Sequence, residues 1–402
     1  MHWPTAMISG FSFDRLRTAA ITLTCRTLAR AFPHCASLDL SRRPVQRVLV
    51  LKPCCIGDVL MATPALQALR RALPQARIAV GVGAWSRVAL EGNPDVDELI
   101  DTGMVGIRGR YSLADVVALV RRLRRDRFDA ALVLDRSPVV ASLPWLAGIP
   151  WRAGLDSRGR GFALQARVHV PRRGVRHEVD LYLDVVRAAG IPVDDTPEAR
   201  RLKFVPSPQD SAAAERLLRS LGLPGRRQLI VIHPGGGANP GMTLALKRWP
   251  AEHFGQLAAR LERELGATVL IVGARSDQDI CMHVLETARR AGGAPVDLCA
   301  RLSFGQLGAL AARCDLYIGN DAGTTHLAAA AGAPVLALFG PSAPYTYGPT
   351  APGSAALWLG VPCSPCFVDG TAPPCPFQHR CMAEMEVERV FRRARALLEG
   401  RL

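Results

Sequence analysis

No uninterrupted apolar run of about 18 residues occurs in the 402-residue chain, so nothing in it reads as a bilayer-spanning helix. No cleavable signal is expected, and the eleven cysteines form an odd, scattered set. A secreted disulfide framework is therefore not expected, and a reducing cytosol is the expected compartment. No G-x-G-x-x-G opens a helix after a strand, and no Walker P-loop occurs, which removes the usual dinucleotide and P-loop readings. The formal net charge of +15 calls for anionic partners, whether nucleic acid, phosphorylated sugar or a negative membrane face. Without interleaved aromatics or a recognised motif, nucleic acid is the partner that the charge supports least.

What is present is a βα alternation whose loops suit an anion. Asp315 to Tyr345 reads as strand, tight turn, helix, strand and a second tight loop. Leu316, Tyr317 and Ile318 form an apolar run that stops at Gly319-Asn320-Asp321, and an Ala-rich helix starts at Thr324-Thr325-His326 and ends at Gly332 before Pro334. Gly319 and Gly323 let backbone come close to a ligand, and the free N–H groups of the helix start, reinforced by its dipole, suit a phosphate. Near the other end, Arg47 to Lys52 reads as a buried parallel strand, followed by Pro53-Cys54-Cys55-Ile56-Gly57-Asp58. Thr63-Pro64 then starts a helix with Leu66, Leu69 and Leu73 on one face. Asp58 thus falls in the connection at the carboxyl end of the first strand, where open α/β sheets bind ligands.

The length suits two domains of ordinary size. Residues 1–43 mix Phe11, Phe13, Leu16, Ile21, Leu23, Leu28 and Phe32 with Arg15, Arg17, Arg26 and Arg30. That is the composition of a basic amphipathic helix, lying either on an anionic membrane surface or on the outside of the first domain. Arg77 to Val82 and Asp129 to Leu134 read as further strands, with a helix from Leu113 to Arg125 between them. Arginines crowd this half, among them Arg121, Arg122, Arg124, Arg125, Arg152, Arg158, Arg160, Arg167, Arg172, Arg173 and Arg176, which suits an acceptor bearing phosphates or acidic sugars. His177 and Glu178 precede a helix over Val179 to Ala189, and Pro192 to Pro208 reads as the approach to a linker. The alternation restarts with a strand over Gln228 to His233, a Pro234-Gly235-Gly236-Gly237 loop, a helix from Pro250, and a strand over Ala267 to Val272; Ser303 and Gln306 form a capping-box pair. Cys363, Cys366, Cys375 and Cys381 sit within a proline-rich segment, open to three readings: a structural zinc or iron–sulfur site, disulfides, or free thiols. Cys54 and Cys55 read as packing residues.

G-N-D-A-G-T-T-H-L-A-A-A followed by P-V-L-A-L-F-G-P resembles the donor-site signature of family 9 glycosyltransferases, the lipopolysaccharide heptosyltransferases. The opening VLVLKPCCIGDVLMATPALQALRRALP and the later HPGG and KRWP are similar to the family's first βα unit and diphosphate-binding segment, so the likeness runs from about Arg47 to about Val390. It implies an α/β GT-B fold, two Rossmann-like domains with parallel sheets facing a central cleft: an acceptor domain over 44–210, a nucleotide-sugar domain over 211–385, and a last helix over 386–402 crossing back to the first domain. The resemblance makes Asp58 the general base of an inverting transfer, with Gly57 beside it on the acceptor side; a carboxylate capping the next turn is the plainer alternative. It makes Lys247 a diphosphate contact, places Gly235, Gly236, Asp321, Ala322, Gly323, Thr324, Thr325 and His326 around the donor, and puts Asp279, ahead of Asp277, on the ribose. Ala322 stands where a Ser or Thr is usual, and Gly236 to Leu246 is longer than expected. The implied partners are a nucleotide sugar, foremost ADP-heptose, and an anionic lipid-linked glycan at the cytoplasmic face of the inner membrane. No cofactor is implied for the chemistry. Another nucleotide sugar and envelope glycan, or a non-catalytic nucleotide-sugar-binding protein, are the alternatives.

Overall fold

The computed structural model describes residues 6–107, 109–170, 175–223, 228–239, 242–367 and 372–400. Its first half holds helix α1 (Ala6–Ala31) and a six-stranded sheet. The strands are β1 (Arg47–Leu51), β2 (Arg77–Val82), β3 (Glu98–Asp101), β4 (Ala130–Val133), β5 (Trp151–Asp156) and β6 (Ala166–His169), and the helices α2 (Ile56–Met61), α3 (Thr63–Ala72), α4 (Leu113–Asp126), α5 (Pro138–Leu146) and α6 (Glu178–Ala188). The second half follows helix α7 (Pro208–Ser220) with β7 (Leu229–His233), a small ribbon of β8 (Ala238–Asn239) and β9 (Met242–Thr243), β10 (Thr268–Gly273), β11 (Val296–Cys299), β12 (Leu316–Asn320), β13 (Val335–Phe339) and β14 (Ala355–Trp358). Its helices are α8 (Ala251–Leu265), α9 (Gln278–Arg290), α10 (Phe304–Ala311), α11 (Gly323–Ala330), α12 (Pro344–Tyr347), α13 (Arg380–Ala383) and α14 (Val387–Leu398).

The two sheets repeat one plan. Strand order is β3-β2-β1-β4-β5-β6 in the first and β11-β10-β7-β12-β13-β14 in the second, and the pairings within them are parallel. Both faces of a parallel sheet are covered by helices, so its strands carry continuous apolar runs. In β1, Val48 and Val50 pack with Leu66 and Leu69 of α3 and Tyr182 of α6, whereas Leu49 and Leu51 pack with Leu119 and Leu123 of α4 and Val140 of α5. Each fully buried Leu or Val of this kind contributes about 1.5 to 3 kcal/mol. The first cluster continues through Phe204 into Val231, Tyr317 and Leu327, so the two halves share buried apolar contacts. Order reverses between β1 and β4, and again between β7 and β12, and each reversal opens a crevice at the carboxyl ends of those strands.

Several expectations change. The connection after β1 is not a plain loop: Ile56–Met61 winds into α2 before α3 begins, with Asp58 in its first turn. Strand β3 was not anticipated, its four residues being too short and too polar to stand out. Helix α14 does not use its apolar face to cover the first domain. Val390, Phe391 and Ala394 join the core of the second sheet, and Arg260 of α8 pairs with Glu388 at 2.6 Å. The stretch before α7 does connect the halves, since Lys203 N–H donates to Thr63 Oγ1 at 2.9 Å and Phe204 N–H to the Ala330 carbonyl at 2.9 Å.

Candidate functional site

The crevice of the first sheet is lined by charge. Cys55 is the N-cap of α2, and Asp58 Oδ2 accepts its backbone N–H at 3.2 Å, so Asp58 does cap the helix start. Its side chain is nevertheless 31% exposed, which leaves the carboxylate reachable from the cleft. Lys52, directly after β1, is buried with its ammonium 3.7 Å from Asp58 and 3.5 Å from Asp135, which follows β4. Beside them the Arg136 guanidinium makes a two-pronged pair with the buried Glu178, one arm at 3.0 Å. Burial works against that guanidinium charge, but Glu178 outweighs it and holds Arg136 protonated more firmly than usual. Cys54 and Cys55, read from sequence as packing, are joined to each other by a disulfide.

On the second sheet, Asn320 at the end of β12 ties two loops together. Its Oδ1 accepts the Trp249 N–H at 2.9 Å, and its Nδ2 donates to the carbonyls of Pro234 at 2.9 Å and Gly235 at 3.0 Å. Asp321, next in sequence and buried, accepts from Lys247 Nζ at 2.6 Å and from the Ser342 hydroxyl, with His326 Nε2 at 3.7 Å. Burial alone would raise the Asp321 pKa, but Lys247 and His326 together hold it well below the usual carboxylate range. The longer loop therefore leaves Lys247 inside the crevice, over the Phe367 ring at 4.3 Å.

Ala322 is the N-cap of α11 and supplies no side-chain capping bond, so the first-turn amides lack the oxygen that a Ser or Thr would offer. Its methyl lies under the Gly236 turn: a Cβ on Gly236, where φ is +97°, would stand 2.6 Å from that of Ala322. Gly235 is equally close to the Asp277 carboxylate, 2.3 Å from a Cβ placed there. Asp277 is buried, accepts the Ala274 N–H at 3.0 Å and faces His233 at 3.8 Å, whereas Asp279 stands exposed in the first turn of α9. The Thr325 hydroxyl donates to the Asn320 carbonyl, which leaves it committed to the turn, and Thr324 has its hydroxyl near Tyr317.

The two crevices face each other. A Cβ on Gly57 would stand 2.8 Å from the His326 ring, and one on Gly323 would lie 3.4 Å from Ile56. His177 spans the same seam. Its Nδ1 accepts the Val179 N–H at 3.2 Å, capping α6, while Nε2–H donates to the Gly348 carbonyl at 2.9 Å. Burial pushes its pKa down to about 4, so the ring is neutral.

Other expected residues are not gathered here. Arg152 and Arg167 are spent on carbonyls, the first on Ile149 and Ala163, the second on Leu164, Ala29 and Phe32. Arg172 and Arg173 lie outside the described residues. Cys363, Cys366, Cys375 and Cys381 are free thiols, and among the described residues no group of three or more His, Cys, Asp or Glu side chains is placed to hold a metal. Of the three readings open for these cysteines, the zinc or iron–sulfur site thus finds no ligand set among the described residues. Cys381 is instead buried against Gly340. Sequence reasoning missed Lys52, Asp135 and Ser342; a lysine closing a buried apolar strand was a usable signal for the first.

The model of glycosyltransferase family 9 (heptosyltransferase) matches residues 116–375. Lipopolysaccharide heptosyltransferase 2 of Salmonella typhimurium is 31% identical over 307 residues, covering 74% of this chain and 84% of that protein. Among solved structures, the family 9 glycosyl transferase of Veillonella parvula superposes with a TM-score of 0.73 at 25% identity, covering 88% of this chain and 98% of the other. The E. coli ADP-heptose LPS heptosyltransferase II does so with a TM-score of 0.67 at 25% identity over 89% and 99%. With two Rossmann-like sheets facing one cleft and these likenesses spanning both, the chain has the GT-B fold and belongs to glycosyltransferase family 9, the heptosyltransferases.

Proposed function

We propose that the protein is an inverting glycosyltransferase that moves a heptose from ADP-heptose onto a lipopolysaccharide core acceptor, with Asp58 as general base. The observation that carries this reading is the opposition across the cleft of a reachable carboxylate and a phosphate-type helix start, with Gly57 against His326. In this scheme the acceptor hydroxyl attacks the anomeric carbon, Asp58 takes its proton, and the bond to the diphosphate breaks on the opposite side, inverting the centre. Lys247 has three donors, only one of them needed by Asp321, so its ammonium also serves the charge growing on the leaving diphosphate. The amides of Gly323 and Thr324 take the phosphate, with Asp321, Ala322, Thr325 and His326 shaping the turn and Gly235 and Gly236 closing over it. Asp279 is the ribose candidate, because Asp277 is already committed to Ala274 and His233.

The basic helix α1 leaves Ile21, Leu23 and Leu28 exposed on a chain of net charge +15, which supports peripheral contact with anionic lipid beside the lipid-linked acceptor. Among the described residues no helix is long and apolar enough to cross a membrane.

Asp58→Asn tests the central assignment. Asn keeps the size and still accepts the Cys55 N–H, so the cap is retained while the basicity is lost. Transfer from ADP-heptose should fall roughly 10²- to 10⁴-fold, with nucleotide-sugar affinity by calorimetry nearly unchanged. Near wild-type turnover, or donor affinity lost in parallel, would place the base elsewhere.

A further inference from the structure

Lys52 is a charged residue where the pattern of β1 would continue apolar. Its side chain is only 7% exposed, and its ammonium touches three groups: Asp58 Oδ2 at 3.7 Å, Asp135 Oδ2 at 3.5 Å, and the Cys54 carbonyl. Each partner is fixed by backbone. Lys52 N–H donates to the Gly81 carbonyl at 3.0 Å, Leu134 N–H to that of Leu51 at 3.0 Å, and Asp135 Oδ1 accepts the Ser137 N–H at 2.8 Å at the start of α5. The ammonium is thus held at the reversal of strand order between β1 and β4, with little freedom to move. An ammonium this enclosed is costly to bury unless paired, and two carboxylates flank it. The more enclosed carboxylate, Asp135, is 17% exposed against 31% for Asp58.

We propose that Lys52, balanced by Asp135, is the positioning residue for Asp58: it tethers Oδ2 and leaves the other oxygen to meet the acceptor hydroxyl. The inference rests on the reading of Asp58 as the base. Asp135 matters because it divides the field of the ammonium. Shared between the two carboxylates, the ammonium orients Asp58 and still has a counter-charge once Asp58 has taken the proton. Beyond these groups the ammonium faces the Arg136–Glu178 pair, and Tyr182 and Tyr347 lie by the same charges. Burial would lower the Lys52 pKa, but Asp58, Asp135 and Glu178 outweigh it and raise it, so the tether stays charged through the neutral range.

The test compares Lys52→Met, Lys52→Met/Asp135→Asn and Asp58→Asn in the full-length chain, reading kcat, the KM for ADP-heptose and thermal unfolding. Lys52→Met should lower kcat roughly 10- to 100-fold with the donor KM nearly unchanged, a fraction of what a lost base costs. Lys52→Met leaves Asp135 without its cation and so lowers stability, but the double variant removes both charges and should recover the melting temperature without recovering kcat. Recovery of activity along with stability would reduce Lys52 to a structural pair and overturn the proposal. A wild-type kcat in Lys52→Met would overturn it too, even with Asp58→Asn inactive. Should Asp58→Asn itself remain active, the base assignment fails first and the Lys52 proposal with it. In the Asp58→Asn background, adding Lys52→Met should cause no further loss, and a full additional loss would refute the coupling.

Discussion

Lys247→Ala separates the structural and the chemical use of one ammonium. In the unliganded protein that ammonium sits 2.6 Å from Asp321, with the two side chains only 12% and 5% exposed, so the variant strands a buried carboxylate. Breaking a buried pair by deleting one partner costs about 3 to 5 kcal/mol. The Ser342 hydroxyl and His326 remain as partners, which places the expected loss nearer about 2 to 3 kcal/mol. The pH dependence has a definite sign. Asp321 has a folded pKa depressed below its unfolded value, so its stabilisation is complete above about pH 4 and is lost as pH falls through the folded pKa. The gap between wild type and variant in urea unfolding should therefore be largest at neutral pH and narrow below about pH 4. Adding Asp321→Asn removes the stranded charge and should recover most of the stability. It should not recover function: donor affinity and turnover should stay low, the latter reduced roughly 10- to 1,000-fold if the charge acts chiefly on the leaving diphosphate. Unchanged kinetics in Lys247→Ala would refute the diphosphate role, and a pH-independent stability gap would refute the assigned pairing.

Two further outcomes can be checked directly. His177 has a folded pKa of about 4, depressed below the ordinary value near 6.5, so it contributes stability that is present above about pH 6.5 and lost as pH falls toward 4. His177→Asn should flatten that part of the stability profile, and an unaltered slope between those pH values would show that the ring is not buried neutral at the seam. For the membrane proposal, binding to vesicles containing anionic lipid should weaken sharply with added salt and on deletion of residues 1–43. Equal partition of full-length and truncated protein would remove α1 from the account.

The parallel sheets were legible because burial on both faces writes itself as unbroken apolar runs, as in Val48 to Leu51 and Leu316 to Ile318. The turn at Asp321 to His326 was legible for a related reason: strand, glycine and Ala-rich helix are local patterns that need no distant partner. Strand β3 and helix α2 were not, being four and six residues long, too short for a period to emerge. The direction of α14 was equally hidden. Its apolar stripe is clear in sequence, but a stripe says only that something covers it, and the core of the second sheet does so.

The site divides along the same line. Sequence by itself determined the α/β class, the two repeats and the residues worth watching at each strand end, because these depend on spacing along one strand or one turn. Only the tertiary structure decided which of those residues meet. Lys52 is 83 positions from Asp135 and Lys247 is 74 from Asp321, and strand order alone makes them neighbours. What Arg152 and Arg167 hold, and the environment of the four late cysteines, turned on burial and on which groups lay within reach. Those are properties of packing, and a one-dimensional pattern of charge does not contain them.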